Sequence, residues 1–277
     1  MISIQTNADV HRYKTMSTAE LRGAFLVERL FEPGAVNLTL TDLDRAVVGA
    51  AVPTTAPLEL PTIDKLRCEF LCQRRELGIL NIGASGTVDV DGDAHALAPL
   101  DCLYVGLGSR NIRFASDHGQ DPAQFYLLSY PAHHAYPTTL IRLADANPIE
   151  VGDAALANCR TIHQYIHEGG ARSCQLVMGY TQLKPGSVWN TMPCHTHQRR
   201  SEIYLYFNLL PGHQALHIMG EPQATRTIWV PDRAAVLSPP WSIHSAVGTS
   251  PYSFAWGMGG ENQRFDDMDP VAVCDLC

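Results

Sequence analysis

The sequence has no excess of basic residues and no basic run. Its 20 Lys and Arg stand against 28 Asp and Glu, a formal charge of −8 with histidine neutral. That balance argues against nucleic acid and anionic membrane as partners, although a local arginine pocket can still take a small anion at close range. The N-terminal stretch MISIQTNADVHRYKTMSTAELRGAF lacks the basic region, the long apolar run and the small-residue cleavage site of a secretory signal. No apolar run of membrane-spanning length follows it. The expectation is a soluble, cytoplasmic protein whose eight scattered cysteines stay reduced. The terminal Cys274-x-x-Cys277 has no partner pair, and Cys68 and Cys72 read as small apolar residues of a strand or core.

Long helical patterns are also scarce. From about residue 35 onward, short runs rich in Val, Ile, Leu, Tyr and Phe alternate with Gly, Pro, Asp and Asn, the pattern of antiparallel sheet. Expected strands include Gly78 to Gly83, Thr87 to Val90 before the turn Asp91-Gly92, Ile203 to Phe207, Thr227 to Val230 and Ser253 to Met258. Two short helices are expected. One runs from Ser17 to Phe25, where Ser17 and Glu20 form a capping box, and the other lies around Ala154 to Ile166. The fold class is all-β with minor helix.

At 277 residues the chain can hold two domains, and its halves show self-similarity. Leu97 to Phe114 aligns without gaps on Leu237 to Phe254 at an offset of 140, while Gln73-Arg74-Arg75 falls on Gln198-Arg199-Arg200 at an offset of 125. A duplication is expected, with domains at 1–150 and 151–277. Under this alignment Phe70, Cys72 and Tyr104 of the first copy stand where the second has His195, His197 and His244. Metal is therefore expected in the second copy only.

The densest chemical signal is TMPCHTHQRRSEIYLYF, residues 191–207. Side chains two apart in a strand share a face, so His195 and His197 can reach one ion. Gln198 to Ser201 reads as a turn, after which Glu202 opens the next strand and can point back. A fourth ligand is expected from a distant strand, and His244 in PPWSIHS follows the turn signal Pro239-Pro240. Three imidazoles and a carboxylate suit zinc, manganese, iron or nickel by donor type. His133 and His134 read as a loop pair, and His213 and His217 surround a probable turn and strand, so none of the four competes as a ligand.

These motifs, His-x-His with a Glu five positions on and a later His after a Pro-rich turn, resemble those of the cupin superfamily of small metal-binding β-barrels. More closely, RRELGILNIG (74–83), LYVGLGS (103–109), WNTMPCHTHQRRSE (189–202), SPPWSIHS (238–245) and WGMGGENQRFDDMDPVAV (256–273) resemble the 5-keto-4-deoxyuronate isomerases. The likeness runs from about Leu21 to the C-terminus. It implies a bicupin of two jelly-roll barrels, the N-terminal one degenerate, and one zinc ion per subunit held by His195, His197, Glu202 and His244. It also implies a homo-oligomer, a hexamer, acting on a small sugar acid from pectin. The implied reaction is the aldose-ketose conversion of 5-dehydro-4-deoxy-D-glucuronate to 3-deoxy-D-glycero-2,5-hexodiulosonate. The sequence departs from the pattern at Cys277, where the family usually ends on a basic residue, and around Leu210 to His213.

Other roles rest on fewer signals. Tyr204 and Tyr206 share a strand face with Glu202 and are candidates for the acid/base, as is Glu261 of the C-terminal motif beside Asp266 and Asp267. Arg160, Lys184, Arg199 and Arg200 are candidates for the substrate carboxylate. Two rival readings of the same residues are a cupin oxygenase holding iron and a non-catalytic sugar-acid-binding bicupin.

Overall fold

Short apolar runs separated by turns give 24 strands in a computed structural model that describes residues 1–277. The Asp91-Gly92 turn shows the local logic. Both residues take positive φ (55° and 99°), and Asp89 Oδ1 accepts the Gly92 N–H, so Gly86–Val90 folds back on Asp93–Leu97. Both residues being at positive φ matches a hairpin turn that keeps the strand twist.

The chain divides into two units. The first comprises Met1–Gln5, Arg29–Ala146 and Tyr165–Val177; the second comprises Thr6–Glu28, Asn147–Gln164 and Met178–Cys277. A single cut at 150 does not describe this division, because two segments belong with the other half of the sequence. Polar anchoring explains both. In the first unit the fully buried Glu76 carboxylate accepts the N–H groups of Cys174, Gln175 and Leu176 (2.6–2.8 Å) and the Tyr104 hydroxyl (2.9 Å). In the second unit Tyr13 stacks on Trp241 with ring centroids 4.7 Å apart, and its hydroxyl donates to the Ala224 carbonyl.

The first unit has a seven-stranded sheet in the order Ile2–Gln5, Val36–Thr41, Val47–Ala51, Phe125–Pro131, Arg75–Asn81, Cys102–Val105, Thr139–Ile141. Beside it lies a four-stranded sheet, Leu58–Glu59, Ile112–Ser116, Gly86–Val90, Asp93–Leu97. Alternate residues of both sheets, among them Leu77, Ile79, Phe125, Val88, Ile112 and Phe114, form one core. Each such fully buried side chain contributes about 1.5–3 kcal/mol by leaving water.

The second unit repeats the plan. Its seven-stranded sheet runs Asn147–Val151, Arg160–Ile166, Val177–Leu183, Ser253–Gly260, Arg200–Phe207, Ala234–Ser238, Leu26–Val27. Its four-stranded sheet runs Trp189–Asn190, Ile243–Gly248, Ala215–Gly220, Arg226–Val230. The class is all-β, two jelly-roll-like units of matching strand order.

That order corrects one alignment. The offset of 140 laid Cys102–Val105 over Ile243–Gly248, but the sheet neighbours make Ala234–Ser238 the counterpart of Cys102–Val105 and Ile112–Ser116 that of Ile243–Gly248. Tyr104 is therefore not the counterpart of His244; the inward residues of the true counterpart are Ile112 and Phe114. The offset of 125 holds, since Arg75 opens its strand opposite Pro131 as Arg200 does opposite Gly260, which sets Leu77 against Glu202.

The helix at Thr18–Phe25 has the expected capping box of Ser17 and Glu20. The helix expected at Ala154 to Ile166 does not form. A single 3-10 turn, Ala154–Leu156, ends where Ala157 takes φ 50°, and Arg160–Ile166 is a strand. Its β-branched and aromatic residues Thr161, Ile162, Tyr165 and Ile166 favour the sheet. All eight cysteines are free, with Cys72 in the first core, where burial pushes its thiol up to about 12. No helix is long and apolar enough to cross a membrane.

Candidate metal centre

Three parts of the second unit bring the four residues together. His195 lies in a two-residue strand, His195–Thr196, pinned against Asp269–Pro270, and His197 follows at its end. Glu202 is the third residue of the strand Arg200–Phe207 in the larger sheet. His244 is the second residue of Ile243–Gly248 in the smaller sheet, opposite Met219. Each offers one ligand atom, and the four atoms lie within 4.8 Å of one another. His244 Nε2 is 3.0 Å from His195 Nε2 and 2.9 Å from Glu202 Oε2, while His197 Nε2 is 3.0 Å from the same oxygen.

The surroundings fix these rings. His197 Nδ1 lies 2.8 Å from the Arg200 carbonyl, so its N–H donates there and Nε2 faces the cluster. Ser238 Oγ stands 3.4 Å from His244 Nδ1. Burial leaves His197, Glu202 and His244 with 2%, 4% and 1% exposure, too little for water to solvate them. Burial alone would raise the Glu202 carboxyl, but His244 and His197 outweigh it and hold the group well below the usual carboxylate range. Burial, then the His244 imidazole, pulls His195 down to about 3, so it is neutral at physiological pH. His197 is raised, because its hydrogen bond to Glu202 outweighs burial.

A buried anion among three converging imidazoles fits a divalent cation. The donors are the nitrogen and oxygen types that bind zinc and other first-row metals at about 2.0–2.2 Å, and their spacing lets one ion reach all four.

Beside the cluster a cavity of about 280 Å³ is lined by His195, Glu202, Tyr204, Arg160, Arg200, Thr181, Thr191, Trp256 and other residues. Of the acid/base candidates, Tyr204 faces it, its hydroxyl 3.2 Å from Thr191 Oγ1 and its ring 5.4 Å from His244. Tyr206 points inward as alternation requires but is not in the cavity; its hydroxyl meets His217 Nδ1 at 2.7 Å. Glu261 is exposed and lies outside the lining, as does Asp266, which pairs with Arg264.

The basic candidates separate as sharply. Arg160 lines the cavity with Nη1 donating to the Asn158 carbonyl at 2.7 Å. Arg200 also lines it, but its guanidinium is tied to the carbonyls of Arg264 and Asp267. Arg199 points elsewhere, to Asp267 and Asp269, and Lys184 is paired with Glu150 at the surface.

Sequence reasoning missed the wall formed by Thr181, Thr191, Trp256, Met258, Phe265 and Met268. Alternation from Phe254 through Trp256 to Met258 was the available signal; nothing marked Thr181, which accepts the indole N–H at 3.1 Å. His217, expected only to flank a probable turn and strand, is fully buried in the strand Ala215–Gly220, next to Tyr204 and Tyr206.

A three-histidine, one-glutamate donor set inside a two-sheet β-barrel, in a chain holding two such units, defines a cupin-type protein with a metal-competent second unit. The chain belongs to the KduI/IolB family, whose model matches residues 27–272. It is 52% identical over 263 residues to the 4-deoxy-L-threo-5-hexosulose-uronate ketol-isomerase of Formosa agariphila, covering 95% of this chain and 94% of that one. The protein of that name from Lachnoclostridium phytofermentans is 48% identical over 275 residues, 99% of each chain. Among solved structures, an IolB-like protein from Salmonella typhimurium has a TM-score of 0.72 at 13% identity, covering 89% of this chain and 96% of its own. Oxalate decarboxylase from Bacillus subtilis has a TM-score of 0.55 at 11% identity, covering 79% of this chain and 69% of its own. At such identities these structures speak for the fold alone.

Proposed function

We propose that this protein is a zinc-dependent ketol-isomerase that converts 5-dehydro-4-deoxy-D-glucuronate to 3-deoxy-D-glycero-2,5-hexodiulosonate in the breakdown of pectin-derived uronates. The convergence of His195, His197, Glu202 and His244 beside a cavity is the observation that carries this reading. The names of relatives near 50% identity over almost the whole chain supply the substrate.

The reaction breaks the C2–H bond, forms a C1–H bond and moves the O2 proton to O1, so negative charge builds on the two oxygens in between. The chemistry a zinc ion supplies when bound is Lewis acidity toward those oxygens.

The chain's own residues do the rest. Arg160 presents a guanidinium to the cavity, and a two-oxygen carboxylate matches that fork. Arg200 is committed to backbone carbonyls, so its contribution is fixed positive charge rather than a free fork. Burial raises the Tyr204 hydroxyl well above its ordinary range, which keeps it a neutral O–H donor toward the substrate oxygens, with Thr191 orienting it. Trp256, Phe254 and Met258 keep that wall apolar and exclude water.

Arg160→Ala separates binding from chemistry. The expected result is a KM at least tenfold higher with kcat changed less than the KM; an unchanged KM contradicts the assignment. Turnover under strict anaerobiosis is expected as well, and a dependence on oxygen would favour an iron oxygenase instead. The same reading carries a hexamer in the cytoplasm, and size-exclusion chromatography with light scattering tests the subunit number.

A further inference from the structure

The first unit holds a second cationic cavity, to which the isomerase reading gives no role. Its volume is about 340 Å³, and Arg45, Arg74 and Arg75 stand around it beside Leu66, Leu71 and Pro131. No acidic side chain lines it.

Arg75 is 5% exposed, and a guanidinium so deep is normally paired with a carboxylate. Here its partners are neutral. Nε donates to Ser129 Oγ at 3.1 Å, Nη2 donates to the carbonyls of Arg45 (2.6 Å) and Ser129 (2.8 Å), and Nη1 donates to nothing. Burial pulls Arg75 down to about 10, and the groups facing it are Cys72, Cys68 and Tyr130, with Arg45 adding like charge. Arg74 uses Nη2 on the carbonyls of Leu66 and Arg67, leaving Nη1 and Nε open.

The duplicated plan sharpens the contrast. Arg75 and Arg200 open corresponding strands, but Arg200 has the Asp267 carboxylate 3.9 Å away while Arg75 has no counterpart to it. Three positive groups face one space, and no carboxylate of the chain answers them.

We propose that this cavity binds a small organic carboxylate, its acid group taken by Arg45, Arg74 and Arg75 and its carbon body resting on Leu66, Leu71 and Pro131. Guanidinium forks match the two oxygens of a carboxylate, and the apolar walls suit a carbon skeleton rather than a bare inorganic anion. The positions corresponding to the metal ligands hold Phe70, Cys72 and Leu77, so the site binds without the chemistry of the second unit. This inference stands apart from the isomerase reading.

The test is calorimetric titration of D-glucuronate into the full chain at low salt, with D-glucose and inorganic phosphate as the other probes. The protein carries His195→Ala and Arg160→Ala to silence the second unit's cavity. One equivalent of glucuronate is expected to bind, and adding Arg45→Ala and Arg74→Ala should weaken it at least tenfold, with no heat from glucose. Both arginines are exposed, so the fold should survive; Arg45→Glu alone gives a second reading, again at least tenfold. Absence of glucuronate binding, or affinity indifferent to these substitutions, overturns the proposal. Phosphate binding as tightly as glucuronate also overturns it, in favour of an inorganic-anion site.

Discussion

At the residue scale, the four side chains that converge were legible because each carries a signal that survives without a fold: His195-x-His197, a Glu a few polar residues on, and a His after a Pro-rich turn. Depth and direction were not legible. Tyr204 and Tyr206 share a strand face, but one two-residue step, about 6.8 Å, takes Tyr206 past the cavity to His217. Arg199 and Arg200 are adjacent and both reach Asp267, but Arg199 is spent on the Asp267 and Asp269 carboxylates while only Arg200 lines the cavity. Gly179 carries a prediction at this scale. A Cβ there would meet the Trp256 ring at 2.2 Å and the His163 carbonyl at 2.5 Å, so only glycine lets the indole lie against that strand. Gly179→Ala should cost about 1–3 kcal/mol by overpacking and, by shifting Trp256, raise KM. A denaturant melt and a kinetic assay check both; unchanged values would show that the strand gives way freely.

At the element scale, the strands expected at Thr87 to Val90 and Ser253 to Met258 form within Gly86–Val90 and Ser253–Gly260, while the one expected at Gly78 to Gly83 lies earlier, at Arg75–Asn81. The error at Ala154 to Ile166 arose because Ala and Leu at its start favour helix while sheet pairing with Asn147–Val151 claims the rest. The offset of 140 failed for a related reason: successive strands of a barrel look alike, so a gapless match slips by one strand without a sequence penalty. The helix at Thr18–Phe25 makes a separate prediction. Ser17 Oγ accepts the Glu20 N–H at 3.3 Å and the Glu20 carboxylate accepts the Ser17 N–H at 2.8 Å. Ser17→Ala should cost about 1 kcal/mol, the typical loss for an N-cap hydroxyl. The thermal midpoint of the second unit is then expected about 2–4 °C lower, and an unchanged midpoint would show that tertiary contacts alone hold the helix.

At the scale of the whole molecule, the matching strand orders put different side chains at corresponding positions of one architecture. The second unit places carboxylate and imidazoles where the first places Phe70, Cys72 and Leu77. The buried His217 ties stability to pH. Burial first, then His244, pulls it down to about 3, against about 6.5 in an unfolded chain. Between those values the unfolded chain binds a proton that the folded one refuses, so stability falls as pH drops through that window. In chelator-treated protein the melting temperature should fall from pH 7.5 to pH 5, and His217→Asn should flatten the fall; parallel curves would show that other groups set it.

One cation held by His195, His197, Glu202 and His244 is expected to enable the isomerisation. Elemental analysis of purified protein, paired with the ketol-isomerase assay on the wild type and on His244→Ala, tests it most directly. One zinc per chain with turnover in the wild type, and neither in a folded His244→Ala protein, is the expected result. Full turnover in protein stripped of metal, or an intact zinc equivalent in His244→Ala, would contradict it.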